Sequence, residues 1–233
     1  MSALRSASSE AILKPADRYQ NVDVAKNYDR RRFHGPSGRL LHWLECRLVR
    51  KALADLPNGA LVGDVPCGTG RLAEGLLGRG LQVTGVDISP AMLDIARDRL
   101  RRFGDRFQPV VAELDQIAKR GPQFDAVLSA RFLVHFPIAE QVELLRHLAA
   151  LSCGRVVFTQ AIDTRYHRLR LRLTRALRSR ASAAHPLTRG QFTALLDQAG
   201  LREQRRYHVL PLLSQAMVLV AVPKDRSSAR RTA

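Results

Sequence analysis

The stretch that most constrains this chain is Asp64-Val65-Pro66-Cys67-Gly68-Thr69-Gly70. Upstream, Ala60-Leu61-Val62 reads as the start of a short buried strand that Asp64 ends. Downstream, Arg71-Leu72-Ala73-Glu74-Gly75-Leu76-Leu77 reads as the first turns of a helix. Two glycines one residue apart let a backbone pass close to a bound group, because glycine has no side chain in the way. Strand, glycine turn, helix is the arrangement that presents a helix N-terminus to a nucleotide.

The rest of the pattern agrees. Apolar residues Leu41, Leu44, Leu48, Ala52 and Leu56 recur at helical spacing, which predicts an amphipathic helix over 37–56. Strands are predicted at 60–65, 81–87, 107–112, 124–129 and 154–160, with helices between them at 70–79, 90–103 and 138–151. Ser89-Pro90 is a helix start with serine as cap and proline in the first turn. Thr188 with Gln191 forms a capping-box pattern for a helix ending near Gly200. Runs 202–210 and 214–222 read as a final antiparallel pair. Strand–helix alternation implies a parallel sheet with helices on both faces. Residues 1–36 read as a loose arm or lid, 37–222 as the main domain and 223–233 as a disordered basic tail.

Length and composition limit the function classes. The 233 residues suit one α/β domain, and 45% hydrophobic with 25% charged residues is a globular composition. No apolar run approaches the roughly 18 residues of a membrane helix, and the N-terminus has no secretory pattern, so a cytoplasmic home is expected. Cys46, Cys67 and Cys153 are too scattered for a metal or redox pair. The net charge of +17 is uneven: residues 151–233 hold 16 Lys and Arg against 4 Asp and Glu. Such a basic third suits an acidic partner, whether nucleic acid or an anionic lipid surface, or simply a solvated arginine-rich face.

Which nucleotide the turn holds is open at the level of the turn itself. Gly68-Thr69-Gly70-Arg71-Leu72-Ala73 satisfies the dinucleotide pattern G-x-G-x-x-G/A, so a nicotinamide or flavin oxidoreductase must be weighed. Asp87, 17 residues beyond Gly70, can accept hydrogen bonds from the ribose of either kind of cofactor. Three features separate the readings. About sixty residues precede the first strand, Asp64 in the turn suits an ammonium group better than a pyrophosphate, and the closing pair fits a sheet with one reversed strand.

On these residues the chain resembles the class I S-adenosylmethionine-dependent methyltransferases, of the small-molecule or ubiquinone type. Asp64-Val65-Pro66-Cys67-Gly68-Thr69-Gly70 resembles their first motif and Val83-Thr84-Gly85-Val86-Asp87-Ile88-Ser89-Pro90-Ala91-Met92-Leu93 the second. Ala112-Glu113-Leu114-Asp115 is similar to the adenine-side segment, and Phe124-Asp125-Ala126-Val127-Leu128 to the fourth-strand motif. The resemblance covers roughly 20–222. It implies a Rossmann-like α/β fold: a seven-stranded, mostly parallel sheet with one reversed strand and helices on both faces. It also implies S-adenosyl-L-methionine as cofactor. Gly68 and Gly70 would pass close to its methionine and ribose, with Asp64 toward the ammonium and Asp87 on the ribose hydroxyls. Ile88 and Met92 would flank the adenine, Glu113 and the Leu114 N–H would reach its edge, and Tyr28 and Arg131 complete the set. Pro66 departs from the family pattern, standing where a first glycine is usual and removing an N–H donor. Cys67 reads as a small loop residue, not a nucleophile.

Methyl transfer is a displacement at an activated carbon, so alignment supplies most of the catalysis. His135, after the fourth strand, is the candidate general base; a hydrogen-bonded structural histidine is its alternative reading. No metal is expected. The acceptor is expected to be a small molecule, lipid or glycan, with RNA or protein as the second class and a non-catalytic cofactor-binding protein as the third. The segment SARFL lacks the Asn/Asp-Pro-Pro-aromatic pattern of base-amino methylation. An Arg-rich helix over 165–180, within a cover spanning 165–187, would shield the pocket or meet an anionic membrane or nucleic acid.

Overall fold

The computed structural model describes residues 35–121, 123–163, 186–210 and 215–224. Tyr28 and the whole Arg-rich segment 165–180 lie outside them. The first helix, α1 (Gly35–Ala52), buries Glu45, Val49 and Ala52 and ends one turn before the expected Leu56. Beyond that end Arg79, two residues past the next helix, donates to the carbonyls of Leu53, Ala54 and Leu56, groups a longer helix would have used itself.

Alternation then proceeds as the sequence implies: β1 (Leu61–Asp64), α2 (Arg71–Leu77), β2 (Gln82–Asp87), α3 (Pro90–Leu100) and β3 (Phe107–Val111). Ser89 caps α3, its Oγ accepting from the Met92 N–H at 3.3 Å with Pro90 in the first turn. The expected helix 90–103 divides instead. α3 stops at Leu100 and a 3₁₀ stretch, Arg101–Arg106, carries the chain on through Gly104 at φ 56°. A short helix absent from the sequence reading follows β3, namely α4 (Leu114–Ala118). At five residues it is too short to show a hydrophobic period.

After β4 (Phe124–Ser129) come a 3₁₀ turn, Leu133–His135, then α5 (Ile138–Ala150), β5 (Ser152–Ala161), α6 (Arg189–Gln198), β6 (Leu201–His208) and β7 (Ala216–Pro223). The capping box of α6 is present, with both Thr188 and Gln191 side chains engaged and Gly200 left-handed at φ 71° just beyond the helix. β7 reaches Pro223, one residue into the stretch expected to be tail.

The seven strands form one sheet in the order β3-β2-β1-β4-β5-β7-β6. β1 is central and parallel to both β2 and β4, with Asp64 opposite Gly85 on one side and Leu128 on the other. β7 alone runs against its neighbours, pairing antiparallel with β5 and with β6. Successive residues face opposite sides, so Val127 and Val156 enter one core and Leu128 and Val157 the other. The first core is covered by α5 and α6 through Leu145, Leu148, Phe192 and Leu195. The second is covered by α1, α2 and α3 through Val49, Leu76, Leu77, Ala96 and Leu100. The order reverses at β1, and in open α/β sheets the crevice beyond the strands' carboxyl ends at such a point is where ligands bind.

Candidate active site

Asp64 ends β1 and Asp87 ends β2, and the register puts them diagonally on the same face of the sheet. Between them runs the glycine turn. It is stitched to the sheet on both sides: the Val65 N–H donates to the Leu128 carbonyl at 2.8 Å and the Cys67 N–H to the Val86 carbonyl at 2.9 Å. Pro66, in cis linkage to Val65, sits between these two donors, so the turn holds without an N–H of its own at that position. The turn closes with the Gly70 N–H on the Cys67 carbonyl at 3.1 Å.

The two glycines do different jobs. Both are left-handed, Gly68 at φ 54° and Gly70 at φ 71°. A side chain at Gly70 would strike the protein itself, its Cβ lying 2.8 Å from Leu100 Cδ1 and 3.1 Å from Ala96 Cβ. A Cβ at Gly68 would meet nothing within 4 Å. Gly70 therefore serves packing of the turn on α3, while Gly68 leaves space on the open side.

Asp87 is buried at 7% exposure yet well provided, with Oδ2 accepting the Gly68 N–H at 2.8 Å and Oδ1 the Ser89 N–H at 3.0 Å. Burial pushes its carboxyl up, and those N–H bonds, with that of Ile88, pull it back. Its backbone carbonyl takes the Ala112 N–H at 3.2 Å, which brings the Ala112-Glu113-Leu114 segment to the same edge. Glu113 is exposed there, and Leu114 opens α4, where a helix offers its first N–H groups no partner. Met92 is buried and Ile88 half-buried beside Asp87 in the chain.

Asp64 is the contrasting case. At 2% exposure its Oδ2 has no hydrogen-bond partner, and burial first, then the Asp87 charge, raises its carboxyl to about 8. A buried carboxyl oxygen left without a donor asks for one from a ligand. Cys67, also buried, is pushed well above an ordinary thiol by burial and the two aspartates, which fits a loop residue and not a nucleophile.

Beyond β4 stand Arg131 and His135. Arg131, expected among cofactor-binding residues, directs its guanidinium to α1, with Nε 3.0 Å from Glu45 Oε1 and an Nη paired to Oε2. Its backbone is left-handed at φ 56°, and its N–H donates to Thr159 Oγ1 at 2.6 Å. Glu45 is a buried acid 86 residues away, so the long-range ion pair claims the side chain. His135 stands in the 3₁₀ turn, half-buried, its N–H on the Phe132 carbonyl at 3.2 Å. Sequence reasoning missed Arg99, whose guanidinium holds Thr69 by its carbonyl at 2.6 Å and its Oγ1 at 2.9 Å. It also missed Ser129 and Gln160, near the carboxyl ends of β4 and β5, whose buried side-chain polar atoms have no partner among the described residues. No local pattern marks such residues. Among the described residues no His, Cys, Asp and Glu cluster could hold a metal, and no helix is long and apolar enough to cross a membrane.

Residues 62–152, from β1 to the start of β5, match the family described as a methyltransferase domain. Over that stretch, less than half of its length, the chain is similar to a methyltransferase domain. The matched stretch includes the glycine turn and the acid ending β2. The magnesium-protoporphyrin O-methyltransferase of a Synechocystis species is 33% identical over 109 residues, covering 46% of this chain and 46% of the relative. The ubiquinone biosynthesis O-methyltransferase of Dechloromonas aromatica is 38% identical over 100 residues, covering 42% and 40%. The chain thus spans less than half the length of these curated relatives. The crystal structure of magnesium protoporphyrin IX methyltransferase from Synechocystis PCC 6803, solved with bound SAH, superposes at a TM-score of 0.69. That likeness covers 89% of this chain and 97% of the other at 22% identity, and it speaks for the fold.

Proposed function

We propose that the chain is an S-adenosylmethionine-dependent methyltransferase acting on a small-molecule acceptor. The observation that carries this reading is the buried pair Asp64 and Asp87 flanking a glycine turn at the sheet's switch point. The residues present fit the cofactor: an orphaned carboxylate oxygen on Asp64 awaits a donor, and the Gly68 position leaves open space. Bound there, the cofactor supplies a methyl group made electrophilic by its sulfonium.

The chain's own residues then have defined tasks. Asp64 would take the methionine ammonium, and a cation beside it favours the ionised carboxylate that burial disfavours. Asp87, its geometry set by two backbone N–H groups, would accept the ribose hydroxyls on its remaining lone pairs. Met92 and Ile88 would flank the adenine, with Glu113 and the Leu114 N–H at its edge. Pro66 and Gly70 shape the turn, and Tyr28 of the N-terminal arm would close the methionine end. Arg131 acts by holding the post-β4 segment against α1 through Glu45. Ser129 and Gln160, on the other side of β1 from Asp87, would offer their unpartnered polar atoms to the acceptor.

The named reactions of the two relatives described above are O-methylations of small molecules, which supports a small acceptor presenting an oxygen nucleophile. His135 is the group on this edge that would take its proton. Lipid and glycan acceptors fall within the same reading. Calorimetric titration with S-adenosylmethionine and S-adenosylhomocysteine, with the nicotinamide cofactors as controls, tests the reading. Binding of the first two in the micromolar range, lost in Asp87→Ala, is the expected result; binding of a nicotinamide cofactor alone would overturn it.

A further inference from the structure

An open groove of about 730 Å³ runs between α1 and α2, and the cofactor reading makes no use of it. Arg47, Arg50 and Lys51 of α1 line one wall, Arg71 at the start of α2 and Arg79 just past its end line the other, and Arg102 closes one side. Glu74 is the one carboxylate among the lining residues, and Arg102 pairs with it at 2.8 Å. Arg79 is spent on three carbonyls at the end of α1, so it contributes charge from a fixed place. Arg47 and Arg50 are exposed, and the Arg47 guanidinium lies 5.6 Å from the centroid of the Trp43 ring. Trp43, the single tryptophan of the chain, is 52% exposed one turn before Arg47. The groove is not a nucleophilic site. Cys46 touches His42 at 3.3 Å, but burial and then Glu45 raise its thiol to about 11.

Cations crowded along two helices repel one another and gain when an anion enters. We propose that this groove binds the phosphodiester backbone of a single-stranded nucleic acid, with Trp43 offering its ring to a base. The shape selects this occupant. From His42 to Ala52, α1 runs about 15 Å, a track longer than one phosphate group needs. The lining is side chains on helix flanks, not the backbone N–H cradle that small phosphates use. The groove is concave, so a flat bilayer surface does not reach its floor. A basic groove beside an exposed aromatic is the arrangement by which proteins hold single strands without sequence preference. Arg71 opens α2 directly after Gly70, so one end of the track lies next to the glycine turn. The proposal does not rest on methyl transfer: the cofactor titration above and the nucleic-acid titration below succeed or fail separately.

The test is fluorescence anisotropy of a labelled oligouridylate with the full chain across a salt series, with Trp43 emission followed in parallel. Saturable binding with quenching of Trp43 is expected. Arg47→Gln/Arg50→Gln should weaken binding about tenfold and make the log–log salt slope shallower by about 1.4, the value for two lost single-strand phosphate contacts. Arg202→Gln/Arg205→Gln removes the same charge from exposed β6 positions and should leave affinity within about twofold. Arg47→Lys/Arg50→Lys should keep the salt slope. Unchanged affinity for S-adenosylhomocysteine and an unchanged melting temperature show that each variant is folded. Equal weakening by the groove and β6 variants would overturn the proposal in favour of charge spread over the whole surface. Saturation without Trp43 quenching would overturn it by placing the strand elsewhere. Quenching with a blue shift by phosphatidylserine vesicles, and none by oligouridylate, would overturn it in favour of a membrane surface.

Discussion

The crevice at the ends of β1 and β2 and the groove between α1 and α2 meet at Gly70–Arg71, yet they handle charge in opposite ways. In the crevice two carboxylates are withdrawn from water, and burial raises both. In the groove Arg47, Arg50 and Lys51 stay exposed, where solvent and salt screen them. Buried charges are costly, so each must be held or answered individually: Asp87 by the N–H groups of Gly68 and Ser89, Asp64 by nothing the described protein supplies. Exposed charges are cheap to keep and act as a sum. The first arrangement suits recognition of one ligand atom by atom, and the second suits a polymer recognised by its phosphates.

The contrast is broken most directly at Asp87. Asp87→Ala should lower S-adenosylhomocysteine affinity at least about 100-fold, since it removes charge-assisted hydrogen bonds from a buried site. Calorimetry reads this, and the groove variants serve as the unaffected comparison.

Asp64 sharpens the contrast through pH. Its folded-state carboxyl sits near 8 against an ordinary value of 3.8, so between those values the folded protein holds a proton that the unfolded chain has lost. The stability this confers is fully present below about pH 4 and is lost as pH rises through about 8. Asp64→Asn should abolish that slope, making the variant more stable than the parent at pH 8 by on the order of 2 kcal/mol in urea unfolding. A parent slope that survives in the variant would show that Asp64 is not its source.

The two glycines split stability from binding. Gly70→Ala should cost about 2 kcal/mol in thermal unfolding, from the left-handed backbone and the contact with Leu100 together. Gly68→Ala has the backbone penalty alone, about 1 kcal/mol, and its larger effect should be on cofactor affinity. At Arg131 the expected change is in stability alone. Arg131→Ala leaves Glu45 buried without its partner and should cost about 1–2 kcal/mol, with Glu45→Gln in the same chain recovering part of it. A double-mutant cycle measures that coupling, and strict additivity would show the pair to be idle.

The parts of the site legible in the sequence are those whose chemistry is local. Gly68 and Gly70 are readable because a tight turn before a helix demands glycine at left-handed positions, and Asp87 because it ends an apolar strand at a fixed interval after them. The caps at Ser89 and Thr188 are readable for the same reason, each bond closing within three residues. The Arg131–Glu45 ion pair was not legible, because nothing near either residue announces the other. The Arg99 clasp on Thr69 and the paired walls of the basic groove also join residues from separate elements.

By itself, then, the sequence determined the alternating strands and helices, the glycine turn and the acid that follows it, because periodicity, caps and turns depend on neighbours along the chain. Only the tertiary structure decided which charges are buried and which are shared. Folding alone buried the Oδ2 of Asp64 without a protein partner, gave Arg131 to Glu45 and laid the arginines of α1 against those at the two ends of α2. The physical reason is that desolvation and ion pairing depend on distance in space, which the order of residues does not state.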